Sequence, residues 1–430
     1  MTMGLKHIAD KLHMACYIYI KVYELMHFIY RHEESVMPSR DVVICHPVRT
    51  AIGTYGGSLK DTPAPDLGAR VIQETLSRSG LSADKVQSLI MGHVIQAGCR
   101  MNSARQAGIG GGLPVEVPAL TVNRVCGSGA QAVASAAMEI WSGMADCAIA
   151  GGMENMDRAP YVLPQGRWGA RMGDVTMYDT MLLDGLNDAF SGKHSGWHTE
   201  DLVNRYSISR DDQDDWALRS QLNFSKAQEA GHFDAEIAAV ELTSRKGTTM
   251  FARDEHNRGD TTVESLAKLK PAFRKDGTIT AGNAPGLNSG AAAMIVADRD
   301  WAEKQGLTPM ARLVAFGIGA VEPDYFGIGP VPAVQQALER AGWSVGDLDR
   351  VEINEAFAAI ALACQRELGL PEDIVNMEGG AIAHGHPIGA SGAVLTTRLL
   401  HAMQRNGERR GIVTLCIGGG QGIALALESL

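Results

Sequence analysis

The sequence is short of positive charge, of paired cysteines and of long apolar runs, and each shortage removes a class of function. Lys and Arg number 39 against 49 Asp and Glu, for a formal net charge of −10. No dominating basic face is therefore offered to a nucleic acid, though basic residues gathered locally can still meet an anionic ligand. The seven cysteines, Cys16, Cys45, Cys99, Cys126, Cys147, Cys364 and Cys416, are odd in number, scattered and without a CxxC pair. Neither a disulfide framework nor a thiolate zinc site is suggested, and a reducing cytoplasm fits best. The apolar run 14–20 is broken by Lys21 and Glu24, too short for a bilayer span. Around it there is no secretory cleavage site and too little Arg and Ser for a transit peptide.

What remains is a chain of 430 residues, 45% hydrophobic and 20% charged, which reads as a globular protein of two or more domains. Residues 1–36 hold four of the nine tyrosines and look unlike the rest. They are expected to be a dispensable extension, with the fold beginning at Met37. From there short apolar strands alternate with helices: strand 42–45, helix 64–79, strand 86–92, helix 129–142, strand 146–151. That is α/β architecture with mostly buried sheets. The region 157–286 interrupts the pattern with more charge, glycine and turn residues and one strong helix over 211–230, and is expected to be inserted over the substrate. The expected organisation is a first core domain over 37–156, completed by about 287–306, the insertion over 157–286, and a second core domain over 307–430.

The second half repeats the first. The segment 71–82 aligns with 333–344 through the identical pairs Gln73/Gln335, Leu76/Leu338, Arg78/Arg340, Gly80/Gly342 and Ser82/Ser344. At nearly the same offset Ser128-Gly129-Ala130 meets Ser391-Gly392-Ala393. Two facing copies of one α/β unit would place the turn at Cys126 beside the turn at His386–Gly392.

Cys126 is followed by Gly127, Ser128 and Gly129 and opens an Ala-rich helix. Small residues allow a tight strand-to-helix turn and close approach of a substrate to the backbone. The helix N-terminus is expected to favour thiolate over thiol, which makes a sulfur nucleophile; the alternative is a buried, inert cysteine. Four glycines and a proline around His384 and His386 describe a shaped loop. His386 is placed to take the proton of Cys126; metal ligation is the weaker alternative, since no third or fourth ligand is near in sequence. The segment 413–422 ends a strand in glycines but resembles neither a P-loop nor a dinucleotide fingerprint. Cys416 there could act as an acid/base beside backbone N–H donors. In the segment 351–358, Asn354 and Glu355 follow a strand; the pair could be capping, or a buried Asn could hold a water against a carbonyl oxygen.

Together these segments, Asn-Glu-Ala-Phe-Ala, Gly-His-Pro-Ile-Gly, Cys-Ile-Gly-Gly-Gly-Gln-Gly and Val-Cys-Gly-Ser-Gly, resemble the thiolase family, and most of all its biosynthetic acetyl-CoA acetyltransferases. The resemblance runs over roughly 38–430 and takes in Arg49–Gly53, Gly151–Asn155 and Thr280–Asn283. It implies two pseudo-symmetric core domains in five αβαβα layers with an inserted loop domain. It implies that two acetyl-CoA are condensed to acetoacetyl-CoA and CoA, and the reverse, through an acyl-cysteine. In that reading Cys126 accepts the acyl group, His386 activates it and Cys416 removes the α-proton. Asn354, through a water, and His386 form one oxyanion hole; the N–H groups of Cys126 and Gly418 form the other. Arg258 and Ser265 match positions that contact CoA, while His194 and Phe326 match positions lining the acyl pocket. CoA is then substrate and product, no metal or other cofactor is implied, and a homodimer or homotetramer is expected, with no nucleic-acid or membrane partner.

Three departures bear on the substrate. Pro285 stands where many members carry a Ser that helps hold pantetheine. The family's His-Met-Gly-x-Thr-Ala-Glu pattern reads His194-Ser195-Gly196-Trp197-His198-Thr199-Glu200, and Phe326 replaces a frequent Met. Phe326, Trp197 and His198 are expected to narrow the pocket toward short acyl chains. Lys268, Lys270, Arg274 and Lys275 form a basic run that either meets CoA or is a solvated face. The competing readings are a degradative 3-ketoacyl-CoA thiolase of broader chain length and a non-catalytic acyl-CoA-binding protein. The latter, like a decarboxylating ketosynthase, would not need all three of Cys126, His386 and Cys416.

Overall fold

The computed structural model describes residues 40–430 apart from Lys246. The expectations for residues 1–36 and for Met37 lie outside the described residues.

The main sheet is built from β1 (Val42–Arg49), β2 (Gly53–Thr54), β3 (Ser88–Gly92), β4 (Ala119–Val122), β5 (Cys147–Asn155), β6 (Asn288–Asp298), β7 (Pro309–Ala320), β8 (Arg350–Ile353), β9 (Arg410–Ile417) and β10 (Gln421–Ser429). The helices that frame the site are α1 (Ala64–Ser79), α2 (Ser128–Trp141), α3 (Ser195–Tyr206), α4 (Arg210–Glu229), α5 (Pro330–Ala341), α6 (Ala358–Leu368) and α7 (Ser391–Asn406).

Across the sheet the order is β4-β3-β5-β6-β1-β7-β10-β9-β8, with β2 against β6. Its two halves run alike from edge to centre. In the first, β4, β3 and β5 are parallel, and β6 and β1 follow antiparallel. In the second, Val375 bridges Val351 in parallel, β8 and β9 are parallel, and β10 and β7 follow antiparallel. The copies are joined by β1 pairing with β7. The repeat seen in the sequence is thus a repeat of topology, and the backbone hydrogen bonds pass from one half to the other without a break.

Side-chain alternation sets the layers. Val42 and Ile44 of β1 pack in a central core with α2 and α7, whereas Val43 and Cys45 pack outward with α1. In the second half Val413 and Leu415 of β9 enter the same central core, whereas Ile412 and Cys416 pack outward with α5 and α6. Outer helices, sheet, central helices, sheet, outer helices: these are the five layers, and the period of two along each strand produces them. The matching helices α1 and α5 share their signals. Each has proline in its first turn, and they end at Gly80 (φ 66°) and Gly342 (φ 67°), where the left-handed backbone suits glycine.

The central helices meet on their Ser-Gly-Ala starts. A Cβ on Gly129 would lie 2.5 Å from the backbone nitrogen of Ala393, and a Cβ on Gly392 would lie 2.2 Å from that of Ala130. Backbone lies against backbone on both sides of the pseudo-twofold axis, which only glycine permits.

After β5 the chain leaves the sheet and returns at β6. The intervening region is anchored on β1 by Arg49, fully buried, whose Nε meets Glu236 at 2.7 Å and whose two terminal nitrogens meet Asp254 at 2.8 and 2.9 Å. Removing one partner of such a buried pair typically destabilises by ~3–5 kcal/mol.

Candidate functional site

Cys126 sits on a bent backbone. Val125 has φ 44°, rare for a β-branched residue and a mark of strain that the surroundings must hold. The Ser128 hydroxyl holds it, accepting from the Arg124 N–H at 2.9 Å and donating to the Val125 carbonyl at 2.7 Å. Glycine at 127 leaves room for the Ile417 side chain, whose Cδ1 a Cβ there would meet at 2.6 Å. Helix α2 starts at Ser128, as the Ala-rich run predicted.

The expected depression of the Cys126 pKa does not occur. Burial pushes the thiol up to about 11, against the opposing hydrogen bonds from the backbone of Gly418 and of Cys126 itself. The helix end is where the sequence placed it, but Cys126 is packed among Val94, Ile95, Met156 and Ile388, and the desolvation of a thiolate there outweighs the dipole. Burial likewise lowers His386 to about 4. The resting pair is neutral thiol and neutral imidazole.

The imidazole is held in one tautomer. Ser391, the counterpart of Ser128, places its hydroxyl 2.9 Å from the Pro387 carbonyl and 2.6 Å from His386 Nδ1. A carbonyl only accepts, so the Ser391 proton goes to Pro387 and its oxygen accepts from Nδ1–H. Nε2 is therefore bare of its proton and open to accept one. Asn354 Nδ2 approaches it at 3.4 Å, and Asn354 Oδ1 is buried without a partner, which suits a bound water. The His386 N–H donates to Asn288 Oδ1 at 2.9 Å. Glu154, fully buried, accepts from the N–H groups of Val94, Ile95 and Gly389 and meets His93 Nε2 at 3.2 Å, tying the His386 loop to β5. Gly92 and Gly152 admit that loop, since a Cβ on either would strike the Gly389 carbonyl at 2.6 and 2.3 Å.

Cys416 lies near the end of β9, fully buried. Its thiol is held well above the usual range, chiefly by burial and next by the neighbouring Cys126. Cys126, His386, Gly418 and Gly419 line a cavity of about 380 Å³; Cys416 does not.

The cavity wall is apolar and aromatic. Phe326, Phe273, Phe357, Met156 and Ile388 line it, together with His194, Asp188 and Pro285. His194 stacks on Phe273 at 4.5 Å, and burial lowers its pKa to about 4. Trp197 and His198 were expected to narrow this cavity and are not among its lining residues. Both lie on α3, whose turn carries them off the face that continues from His194. Trp197 instead receives Lys193 and Arg274 on its ring at 5.1 and 4.5 Å, and His198 is buried beside Asp188 and Asp324.

Arg258 and Ser265 come together in a second cavity of about 210 Å³ with His256 and Gln221; Ala284 borders both cavities. Ser265 uses its hydroxyl in the cap of a short helix at Thr262, so it is not idle. The basic run divides: Arg274 is held by Asp201 at 2.8 and 2.6 Å, while Lys268, Lys270 and Lys275 are exposed.

Ser391, Asn288 and Glu154 went unassigned in the sequence reading. Ser391 alone left a usable signal, standing as it does in the repeated Ser-Gly-Ala.

Comparison with known proteins agrees with this geometry. The family models Thiolase, N-terminal domain, and Thiolase, C-terminal domain, match residues 42–300 and 307–429. An acetyl-CoA acetyltransferase of Cupriavidus necator is 50% identical over 389 residues, 90% of this chain and 99% of its own. The Beta-ketothiolase BktB of the same organism is also 50% identical, over 91% of this chain and 100% of its own. Among solved structures, the Bacillus anthracis acetyl-CoA acetyltransferase superposes with a TM-score of 0.89 at 44% identity, covering 91% of this chain and 99% of the other. Human mitochondrial 3-ketoacyl-CoA thiolase gives 0.89 at 42% identity, with the same coverage.

Proposed function

Because the chain belongs to the thiolase family, we propose the following mechanism for it as an acetyl-CoA acetyltransferase, condensing two acetyl-CoA to acetoacetyl-CoA and running the reverse thiolysis. The observation that carries the mechanism is the bare Nε2 of His386, fixed by Ser391, on the same cavity as Cys126.

In the first half-reaction the Cys126 sulfur attacks the thioester carbonyl as its proton passes to His386 Nε2. A pair that rests neutral avoids desolvating a thiolate before substrate arrives. The tetrahedral oxyanion forms beside two N–H donors, the C–S bond to CoA breaks, and His386 returns the proton to the departing sulfur. Acetyl-Cys126 and CoA result. In the second, Cys416 first passes its thiol proton to His386 Nε2, neutral again after acylation, and the resulting thiolate takes a proton from the methyl carbon of another acetyl-CoA. The burial that raises this thiol makes its thiolate a strong base. The enolate oxygen is met by Asn354, through a water, and His386. The enolate carbon attacks acetyl-Cys126, the oxyanion is held by the N–H groups of Cys126 and Gly418, and Cys126 leaves as thiolate. His386 then returns its proton to the Cys126 sulfur, and Cys416 ends as the thiol it began as. Donors aimed at developing charge typically contribute 10²–10³-fold each. The thioester itself acidifies the α-carbon, so the chain's own groups and CoA are sufficient for the reaction.

Arg258 and Ser265 are read as CoA contacts in the cavity adjoining the acyl site, with residues 157–286 as the loop domain covering it. His194, with Nδ1 accepting from Gly196 and hence its proton on Nε2, is read as a donor to the acyl thioester. A homodimer or homotetramer is supported by the edge strand β4 with half-exposed Leu120 and by exposed Val115 just before it in the chain. A cytoplasmic setting is supported by the free cysteines of the described residues. No helix among those residues is long and apolar enough to cross a membrane.

The likeness to human mitochondrial 3-ketoacyl-CoA thiolase supports a second reading, a 3-ketoacyl-CoA thiolase of broader chain length. Buried Phe326 opposes it, since a long tail would have to displace packed rings, at about 1–3 kcal/mol. Purified protein should cleave acetoacetyl-CoA with CoA and leave an acetyl group on Cys126 in intact-mass and peptide mapping. Absence of acylation at Cys126 overturns the mechanism, and equal specificity constants for C4 and C16 substrates overturn the short-chain preference.

A further inference from the structure

Beside the acyl cavity, outside the groups used for chemistry, Asp188, His198 and Asp324 converge. One ligand atom from each lies within 4.8 Å of the others. Asp188 and His198 have side chains only 6% exposed, while Asp324 opens to solvent. Asp188 uses Oδ2 for the N–H groups of Phe190 and Ser191, and its Oδ1 is buried with no partner. His198 uses Nε2 toward the Ser191 hydroxyl at 2.6 Å, and its Nδ1 makes no hydrogen bond, though Asp324 Oδ1 is 3.3 Å away. Among the described residues neither carboxylate forms an ion pair with Lys or Arg.

Asp188 approaches His198 on its Nε2 side, Oδ2 at 4.0 Å, and Asp324 on its Nδ1 side; with Asp188 Oδ1 and His198 Nδ1 both buried without a hydrogen bond, the three groups are the makings of a metal site rather than of a closed hydrogen-bond network. A structural network would have satisfied them, because a buried polar atom left unpaired destabilises by about 1–3 kcal/mol. The imidazole engaged on one nitrogen by a hydroxyl and free on the other is the arrangement of a metal-bound histidine oriented by its outer partner. We propose that Asp188, His198 and Asp324 bind one divalent first-row cation of the zinc class. One imidazole and two carboxylates suit such an ion in donor type and neutralise its charge, and the exposed side at Asp324 leaves room for water.

The three ligands come from three segments of the cavity wall. Asp188 precedes His194 in the same loop, His198 is on α3, and Asp324 is in the short 3-10 helix Pro323–Ile328 that carries Phe326. A bound ion would clasp these segments together and fix the wall on which His194 and Phe326 stand. It brings no step to the acyl chemistry. The sequence could not reveal the site, because its ligands are far apart along the chain and one of them, His198, was assigned to the acyl pocket.

The test is equilibrium dialysis of the full chain against Zn²⁺, comparing wild type with His198→Thr and Asp324→Asn, each checked for folding by circular dichroism. Zinc held by Cys126 and His386 would be retained in both variants and so is subtracted by the comparison. The wild type should bind one further equivalent, weakened at least ~10-fold in each variant. Zn²⁺ should also slow backbone hydrogen exchange over 188–198 and 323–328 in wild type only. Equal binding in all three proteins, loss in only one variant, or no further equivalent in wild type overturns the site; the trio is then a His–carboxylate ion pair.

Discussion

The two Ser-Gly-Ala turns are the same structure put to different ends. Ser128 and Ser391 each open a central helix and each return a hydroxyl proton to a carbonyl in the preceding turn, Val125 and Pro387. In the first copy the hydroxyl's remaining capacity goes to the backbone, at the Arg124 N–H, and steadies the strained turn that presents Cys126. In the second it goes to a side chain, Nδ1 of His386, and sets the tautomer of a base. One scaffold, duplicated and turned about an axis, thus delivers a nucleophile from one half and its proton acceptor from the other. Neither half holds a complete site.

The largest expected effect breaks the pair outright. Cys126→Ala should remove acyl transfer by more than ~10⁴-fold, as loss of a covalent nucleophile does, with no acetyl group found on the protein. Residual acetylation at another residue would move the nucleophile elsewhere. Next, Cys416→Ser should leave acetylation of Cys126 intact while condensation drops ~10²–10⁴-fold, the usual effect of losing a general base. Equal losses in both half-reactions would deny the division of labour between the cysteines.

The two serines sharpen the comparison further. Ser391→Ala strands a buried Nδ1–H, worth about 1–3 kcal/mol, and should slow acylation roughly 5- to 150-fold while altering its pH profile. Ser128→Ala should lower thermal stability by a similar free energy and leave the pH profile alone. Matching profiles would show that the two hydroxyls do the same job.

The smallest effect is in pH. His386 titrates at about 4 and Cys126 at about 11, so alkylation of Cys126 in the free protein should still be rising at pH 10. A plateau near neutrality would restore the depressed thiol. Stability follows the other histidines too. His386, His194 and His256 are all lowered to about 4 by burial, so the folded state binds fewer protons than the unfolded one near pH 5. Their contribution is present above about 6.5 and is lost as pH falls through about 4. His93 runs the other way: burial opposes its charge, but Glu154 outweighs it and raises the pKa to about 9, so its contribution fades as pH rises past that value. Urea midpoints measured from pH 4 to 10 should fall at both ends.

What could be read from the sequence was what neighbours in sequence decide. Helix 64–79 was placed to the residue because Pro65 and Gly80 punctuate it. The nucleophile turn was legible because glycine, cysteine and the Ala-rich run are contiguous. The thiol's pKa was not, because the groups that desolvate and hydrogen-bond Cys126 arrive from Met156, Ile388 and Gly418. Trp197 and His198 were misplaced for a related reason: the motif expected to line the acyl pocket is the first turn of α3, and helical phase decides which of its side chains face the cavity.

The reciprocal contact of Gly129 with Ala393 and of Gly392 with Ala130 has an evolutionary consequence. Duplicated halves are ordinarily free to diverge, each accumulating changes that suit its own task. Here one methyl group on either glycine pries the central helices apart, and with them the two turns on which Cys126 and His386 ride. The seam works as a gauge block between nucleophile and base. Specialisation can proceed in the loops, but at this spot the inherited copies are bound to a common history.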